Sequence, residues 1–156
     1  MAVTVHTASA AETKALGERL GALLEPGDVV LLHGDLGAGK TTVAQGILRG
    51  LQVTSPGQSP TFTLVSEHQG KLTSGIPVAV RHLDLYRLSG PQELDSFGYA
   101  DLLHASHGIT IVEWPERAGD FLPCTFVLIE LNFGDDDKRV IAFSAVPSGD
   151  RFADLA

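Results

Sequence analysis

The chain has 156 residues, 44% of them hydrophobic and 19% charged, which is enough for one domain with a sizeable core and too few for a second. Its formal net charge of −8 argues against tight independent binding of nucleic acid, because neutralising phosphates needs clustered Lys and Arg. No apolar run approaches the ~20 residues of a membrane span, the N-terminus has no charged segment leading into an apolar one, and the single Cys124 cannot close an internal disulfide, so a cytoplasmic protein is expected.

Residues 2–7 alternate in the manner of a short edge strand. Ser9 followed by Glu12 spells a capping box, and Ala15, Leu16, Leu20, Leu23 and Leu24 form the apolar stripe of a helix that Pro26-Gly27 ends. The apolar run Val29-Val30-Leu31-Leu32 then leads into His33-Gly34-Asp35-Leu36-Gly37-Ala38-Gly39-Lys40-Thr41-Thr42, and a helical pattern follows from Val43. Gly-x-x-x-x-Gly-Lys-Thr between a strand and a helix is the signature of a phosphate-binding loop. Glycines at 34, 37 and 39 let successive N–H groups curl inward, and the helix directs its positive end at the same spot. Lys40 would reach the β- and γ-phosphates of a nucleotide, and the Thr41 hydroxyl would ligate the bridging Mg²⁺.

Residues 52–59 contain Pro56 and Gly57 and read as irregular, ending in Ser59-Pro60-Thr61 before the β-rich Phe62 to Glu67. Two readings stand for this loop: a switch whose hydroxyls sense a γ-phosphate, or a proline-fixed turn feeding a strand. Residues 69–75 read as a connection to a second strand over 77–84, and so short a link favours an antiparallel hairpin and a mixed sheet. Asp84, at the end of that strand, is placed to hold Mg²⁺ through water or to orient an attacking water. Ser89-Gly90-Pro91-Gln92 introduces a helix that Gly98 interrupts, and Asp95-Ser96-Phe97-Gly98 reads as that break and not as a GTPase switch.

Gly108 to Val112 is an apolar strand that delivers Glu113 at its C-terminal end, where a Walker B carboxylate sits, making Glu113 the stronger metal candidate. Trp114 would cap the core or shield the phosphates. Residues 125–133 and 139–146 read as a last hairpin around an aspartate-rich turn that lacks calcium-loop spacing, and the six histidines show no metal-ligand spacing. Residues 1–146 are thus one domain, with 147–156 a loose C-terminal tail. No Asn-Lys-x-Asp or Thr-Lys-x-Asp segment is present to read guanine, so adenine is preferred. Few arginines follow the loop helix, which favours slow ATP hydrolysis switching a partner contact over the alternative, a small-molecule kinase.

Five segments together resemble the TsaE (YjeE) family: the phosphate-binding loop 33–42, Ser59 to Val65, His82-Leu83-Asp84-Leu85-Tyr86-Arg87-Leu88, Glu93-Leu94 to Gly98, and Val112-Glu113-Trp114. The resemblance covers about Glu12 to Ala145, with one departure, Arg81 standing where the family usually has Tyr. It implies an α/β, P-loop NTPase-like three-layer sandwich with a mixed central sheet, a parallel core flanked by antiparallel hairpins. It further implies ATP and Mg²⁺ as ligands, and the TsaD and TsaB proteins as partners in installing threonylcarbamoyladenosine on tRNA, with tRNA met only through that complex. ATP turnover would support repeated cycles of the complex without transferring the threonylcarbamoyl group. By motif position, Gly37, Ala38, Gly39, Lys40, Thr41 and Thr42 would hold the phosphates, and Thr41 and Glu113 the metal. Asp84 would act in hydrolysis or the metal shell, Thr61 would lie on the switch-like loop, and Arg139 or Lys138 would touch the nucleotide.

Overall fold

The computed structural model describes residues 3–35, 37–53, 65–88, 91–103, 108–123, 125–134, 136–146, 152 and 155. Its strands are β1 (Val3–Thr7), β2 (Val29–Gly34), β3 (Val65–Lys71), β4 (Pro77–Asp84), β5 (Gly108–Glu113), β6 (Phe126–Phe133) and β7 (Arg139–Val146), and its α-helices are α1 (Ala10–Leu23), α2 (Lys40–Gly50) and α3 (Tyr99–Leu103). Two 3₁₀ helices, Pro91–Phe97 and Pro115–Ala118, are also found among the described residues.

The strands form one sheet in the order β1-β7-β6-β2-β5-β4-β3. β2 runs parallel to β5 and β6, and β4 parallel to β5. The antiparallel pairs β3–β4, β6–β7 and β1–β7 flank this parallel core on both sides. The mixed sheet anticipated from the short connections is therefore the observed one, and β1 is an edge strand. β2 and β5 are buried along nearly their whole length, as strands covered on both faces must be.

One face of the sheet is covered by α1 and α2, whose Leu16, Leu20, Val43, Ala44 and Ile47 pack on Val30, Leu32, Ile109, Ile111 and Ile129. The opposite face carries a second core, in which Leu31, Leu83 and Val112 meet Leu88 from the turn after β4 and Leu94, Tyr99 and Ala118 from α3 and the 3₁₀ helices. These are the three layers. Phe152 and Leu155, from the segment read as a loose tail, are both buried in the first core, and Arg19 donates to the Leu155 carbonyl at 3.4 Å.

α1 begins as its sequence dictates: the Ser9 hydroxyl accepts from the Glu12 N–H at 3.1 Å and lies 3.5 Å from the Glu12 carboxylate. α1 and α2 then approach at glycine contacts. A Cβ on Gly46 would stand 2.2 Å from the Lys14 carbonyl oxygen, and one on Gly50 2.2 Å from that of Glu18. Gly17 and Gly21 are as tightly apposed to the Val43 and Ile47 carbonyls. Only bare backbone fits between these helices, so α1 fixes where α2, and hence the loop before it, can lie.

Candidate functional site

The loop lies at the C-terminal end of β2, between β5 and β6, and opens directly into α2. Gly37 and Gly39 have φ of 82° and 104°, the left-handed region that glycine enters without strain. Gly39 caps α2 with no side-chain hydrogen bond, so the first-turn N–H groups are left for an outside acceptor. Lys40 turns back over its own loop: its ammonium donates to the carbonyls of Gly34 and of Asp35, the latter at 3.3 Å, and rests 3.4 Å from the centre of the Trp114 ring. Burial lowers its pKa, opposed by the charges of Glu113, Glu116, Asp84 and Asp35.

Parallel pairing of β4 and β5 sets Asp84 opposite Glu113, and both strands end beside the loop. Glu113 is 2% exposed. Its Oε1 accepts from the Thr41 hydroxyl at 3.4 Å and its Oε2 lies 2.5 Å from His82 Nε2. Asp84 accepts from the Tyr86 N–H at 3.0 Å. Burial pushes the Asp84 carboxyl above its usual value, the Tyr86 hydrogen bond opposes this, and the charge of Glu113 adds to the rise. Trp114, with φ of 59°, starts the 3₁₀ turn Pro115–Ala118; its ring lies 4.9 Å from that of Tyr86 at a 46° tilt, packs against the second core and sits over Lys40, so it both caps the core and covers the lysine.

Arg139 opens β7 and braces the loop from the far side: Nε donates to the Ala38 carbonyl at 3.1 Å and Nη2 to that of Gly37 at 3.5 Å. Beside it, Ala10, Thr13, Gly39, Thr42, Asp137 and Arg139 line a small pocket. A larger one of about 420 Å³ lies between the start of α1 and the last hairpin, with His6, Glu12 and Lys138 in its walls. The start of α1 therefore borders the loop. Thr61 lies outside the described residues.

The structure thus brings Lys40, Thr41, Asp84 and Glu113 together and sets Arg139 behind the loop. Sequence reasoning missed His82, whose signal was its position two residues before Asp84 on one strand, hence on the same face. The available donors are hard oxygens, the Thr41 hydroxyl and the Glu113 carboxylate with Asp84 alongside, which suits Mg²⁺ and not a soft metal. Among the described residues no three His, Cys, Asp or Glu side chains form a metal-holding group.

A glycine-lined loop from a parallel strand into a helix, faced by a carboxylate at the end of the adjacent strand, defines a P-loop NTPase-like protein. The family profile for "Threonylcarbamoyl adenosine biosynthesis protein TsaE" matches residues 7–141. The chain belongs to the TsaE family, which acts in the biosynthesis of threonylcarbamoyladenosine in tRNA. It is similar to the tRNA threonylcarbamoyladenosine biosynthesis protein TsaE of Nostoc sp., with 43% identity over 138 residues covering 86% of this chain and 81% of the relative. Its likeness to the Bacillus subtilis protein of the same name is 37% identity, covering 94% and 87% of the two chains. The crystal structure of Bacillus subtilis YdiB superposes with a TM-score of 0.72 at 32% identity, over 99% of this chain and 91% of that one.

Proposed function

We propose that the chain is a slow Mg²⁺-dependent ATPase that binds the TsaD–TsaB complex and hydrolyses ATP to permit repeated rounds of threonylcarbamoyladenosine formation. The observation that carries the reading is the convergence of Lys40 and Thr41, at the head of α2, on Glu113 at the end of β5. The triphosphate occupies the helix N-terminus, cradled by the backbone of Gly37 to Thr42. Lys40 exchanges the Gly34 and Asp35 carbonyls for phosphate oxygens. Mg²⁺ bound at Thr41 and Glu113 would neutralise the β- and γ-phosphate oxygens. The base lies towards the pocket at Ala10, Thr13 and Thr42, with Arg139 holding the loop to that wall.

Water attacks the γ-phosphorus in line, forming one P–O bond as the bond to the β–γ bridging oxygen breaks, and yields ADP, inorganic phosphate and a proton. Asp84 would accept a hydrogen bond from that water, and its raised affinity for protons suits a group that receives one. Trp114 covers the lysine and excludes bulk water from it. In this reading the chain does not itself transfer the threonylcarbamoyl group, which stays with the partner complex. We place this activity in the cytoplasm; among the described residues no helix is long and apolar enough to cross a membrane.

The test is an ATPase assay of the chain alone, with TsaD–TsaB, and with tRNA added. ADP formation that rises with the partners supports the proposal; turnover that ignores them and responds instead to a small acceptor metabolite refutes it.

A further inference from the structure

The pair His82–Glu113 is the most deeply buried ion-pair geometry among the described residues, with side chains 4% and 3% exposed and 2.5 Å between Nε2 and Oε2. Pro77–Asp84 and Gly108–Glu113 run parallel, with Asp84 opposite Glu113 and His82 opposite Ile111. His82, Asp84, Ile111 and Glu113 therefore share the face that α2 covers. His82 lies one step deeper than Asp84, between the apolar core and the phosphate-binding loop.

We infer that His82 is a positioning residue for the metal-binding carboxylate: its Nε2–H holds Glu113 Oε2, so that Oε1 is the oxygen that faces the Thr41 hydroxyl and would be offered to a bound metal. A carboxylate that holds a metal can only accept, which gives His82 Nε2–H the donor role in this arrangement. Glu has three side-chain torsions, and the second oxygen of a metal-binding carboxylate is free to swing unless a donor fixes it. The 2.5 Å contact supplies that donor, and the 3.4 Å approach of Oε1 to Thr41 leaves this oxygen the more loosely held of the two. Outer partners of metal ligands act in this way, and their loss typically lowers metal affinity about 10- to 100-fold. The inference rests on the reading that Thr41 and Glu113 hold Mg²⁺.

The experiment compares the unsubstituted protein with His82→Gln and His82→Asn. Glutamine places its amide N–H₂ where the histidine Nε2 lies, whereas asparagine stops short of Oε2 while staying polar. Binding of ADP is measured as Mg²⁺ is titrated, and again in EDTA. His82→Asn should need about 10- to 100-fold more Mg²⁺ for half-maximal enhancement of binding. His82→Gln should stay within about threefold of the parent, and all three should bind alike in EDTA. An unchanged Mg²⁺ requirement in His82→Asn overturns the inference, and so does a loss of equal size with and without Mg²⁺, the mark of a merely structural pair. If the unsubstituted protein shows no Mg²⁺ dependence at all, the metal reading itself falls and the inference with it. Should His82→Asn fail to fold, ¹⁵N-histidine NMR of the unsubstituted protein decides: a protonated Nε2 supports the contact, and a ring protonated only at Nδ1 overturns it.

Discussion

Lys40 holds a buried ammonium between two carbonyls of its own loop and the face of Trp114. A desolvated contact of this kind contributes about 2 kcal/mol, so the lysine is stored in place and must be drawn off the ring by phosphate. Because the chain has one tryptophan, its emission should change when ATP binds, and a titration followed at Trp114 checks this. Lys40→Ala should abolish ATP turnover, since the phosphates lose the cation within the loop; hydrolysis at the parental rate would remove the loop from the mechanism. The two carboxylates should separate in a metal titration. Glu113 touches Thr41 and Asp84 does not share that contact, so Glu113→Gln should weaken Mg²⁺-dependent nucleotide binding more than Asp84→Asn does. The reverse order would exchange their roles. Asp84 also carries a stability consequence. Its pKa is raised in the folded state, so the native protein binds that proton more tightly than the unfolded chain, and stability falls as pH rises from the ordinary value of 3.8 through the raised one. Asp84→Asn should therefore unfold at a higher temperature than the parent at neutral pH, with the gap closing as pH falls towards 3.8. A lower melting temperature at pH 7 would mean that the Tyr86 hydrogen bond outweighs burial.

Between elements, the contact that sets the site is α1 against α2. Overpacking a fitted interface costs about 1–3 kcal/mol, and at Gly46 the obstacle is the Lys14 carbonyl, which cannot rotate away as a side chain would. Gly46→Ala should lower the urea midpoint of unfolding and weaken nucleotide binding together, because α2 carries the loop. A variant with parental stability would show that the helices separate freely. Arg139 ties the last hairpin to the same loop through two carbonyls, so one antiparallel addition to the sheet braces the loop through β7, while the other, the β3–β4 pair, carries the His82 that meets Glu113. In α/β sheets with purely parallel strands these supports come from crossover helices.

At the scale of the molecule, a net charge of −8 opposes the phosphate backbone of RNA. The isolated chain should retain no tRNA at physiological salt, and retention in a filter-binding measurement would contradict the view that its partners hold the RNA. Much of the fold could be read directly from the chain: the cap at Ser9, the strand entering the loop, the helix leaving it and the two hairpins all follow from local spacing and turn chemistry. So did Lys40, Thr41, Asp84 and Glu113, because a phosphate-binding loop and an acid ending an apolar strand are written in consecutive residues. The burial of Phe152 and Leu155 could not be read, since a short apolar pair after a proline has no period. Nor could the join of His82 to Glu113, 31 positions apart, or the lodging of Lys40 under Trp114. Sequence determines what each segment presents, because side-chain period and backbone freedom are local properties. Which presented groups meet is decided by strand order and register, and here only the parallel pairing of β4, β5 and β2 brings the histidine, the two acids and the loop to one end of the sheet.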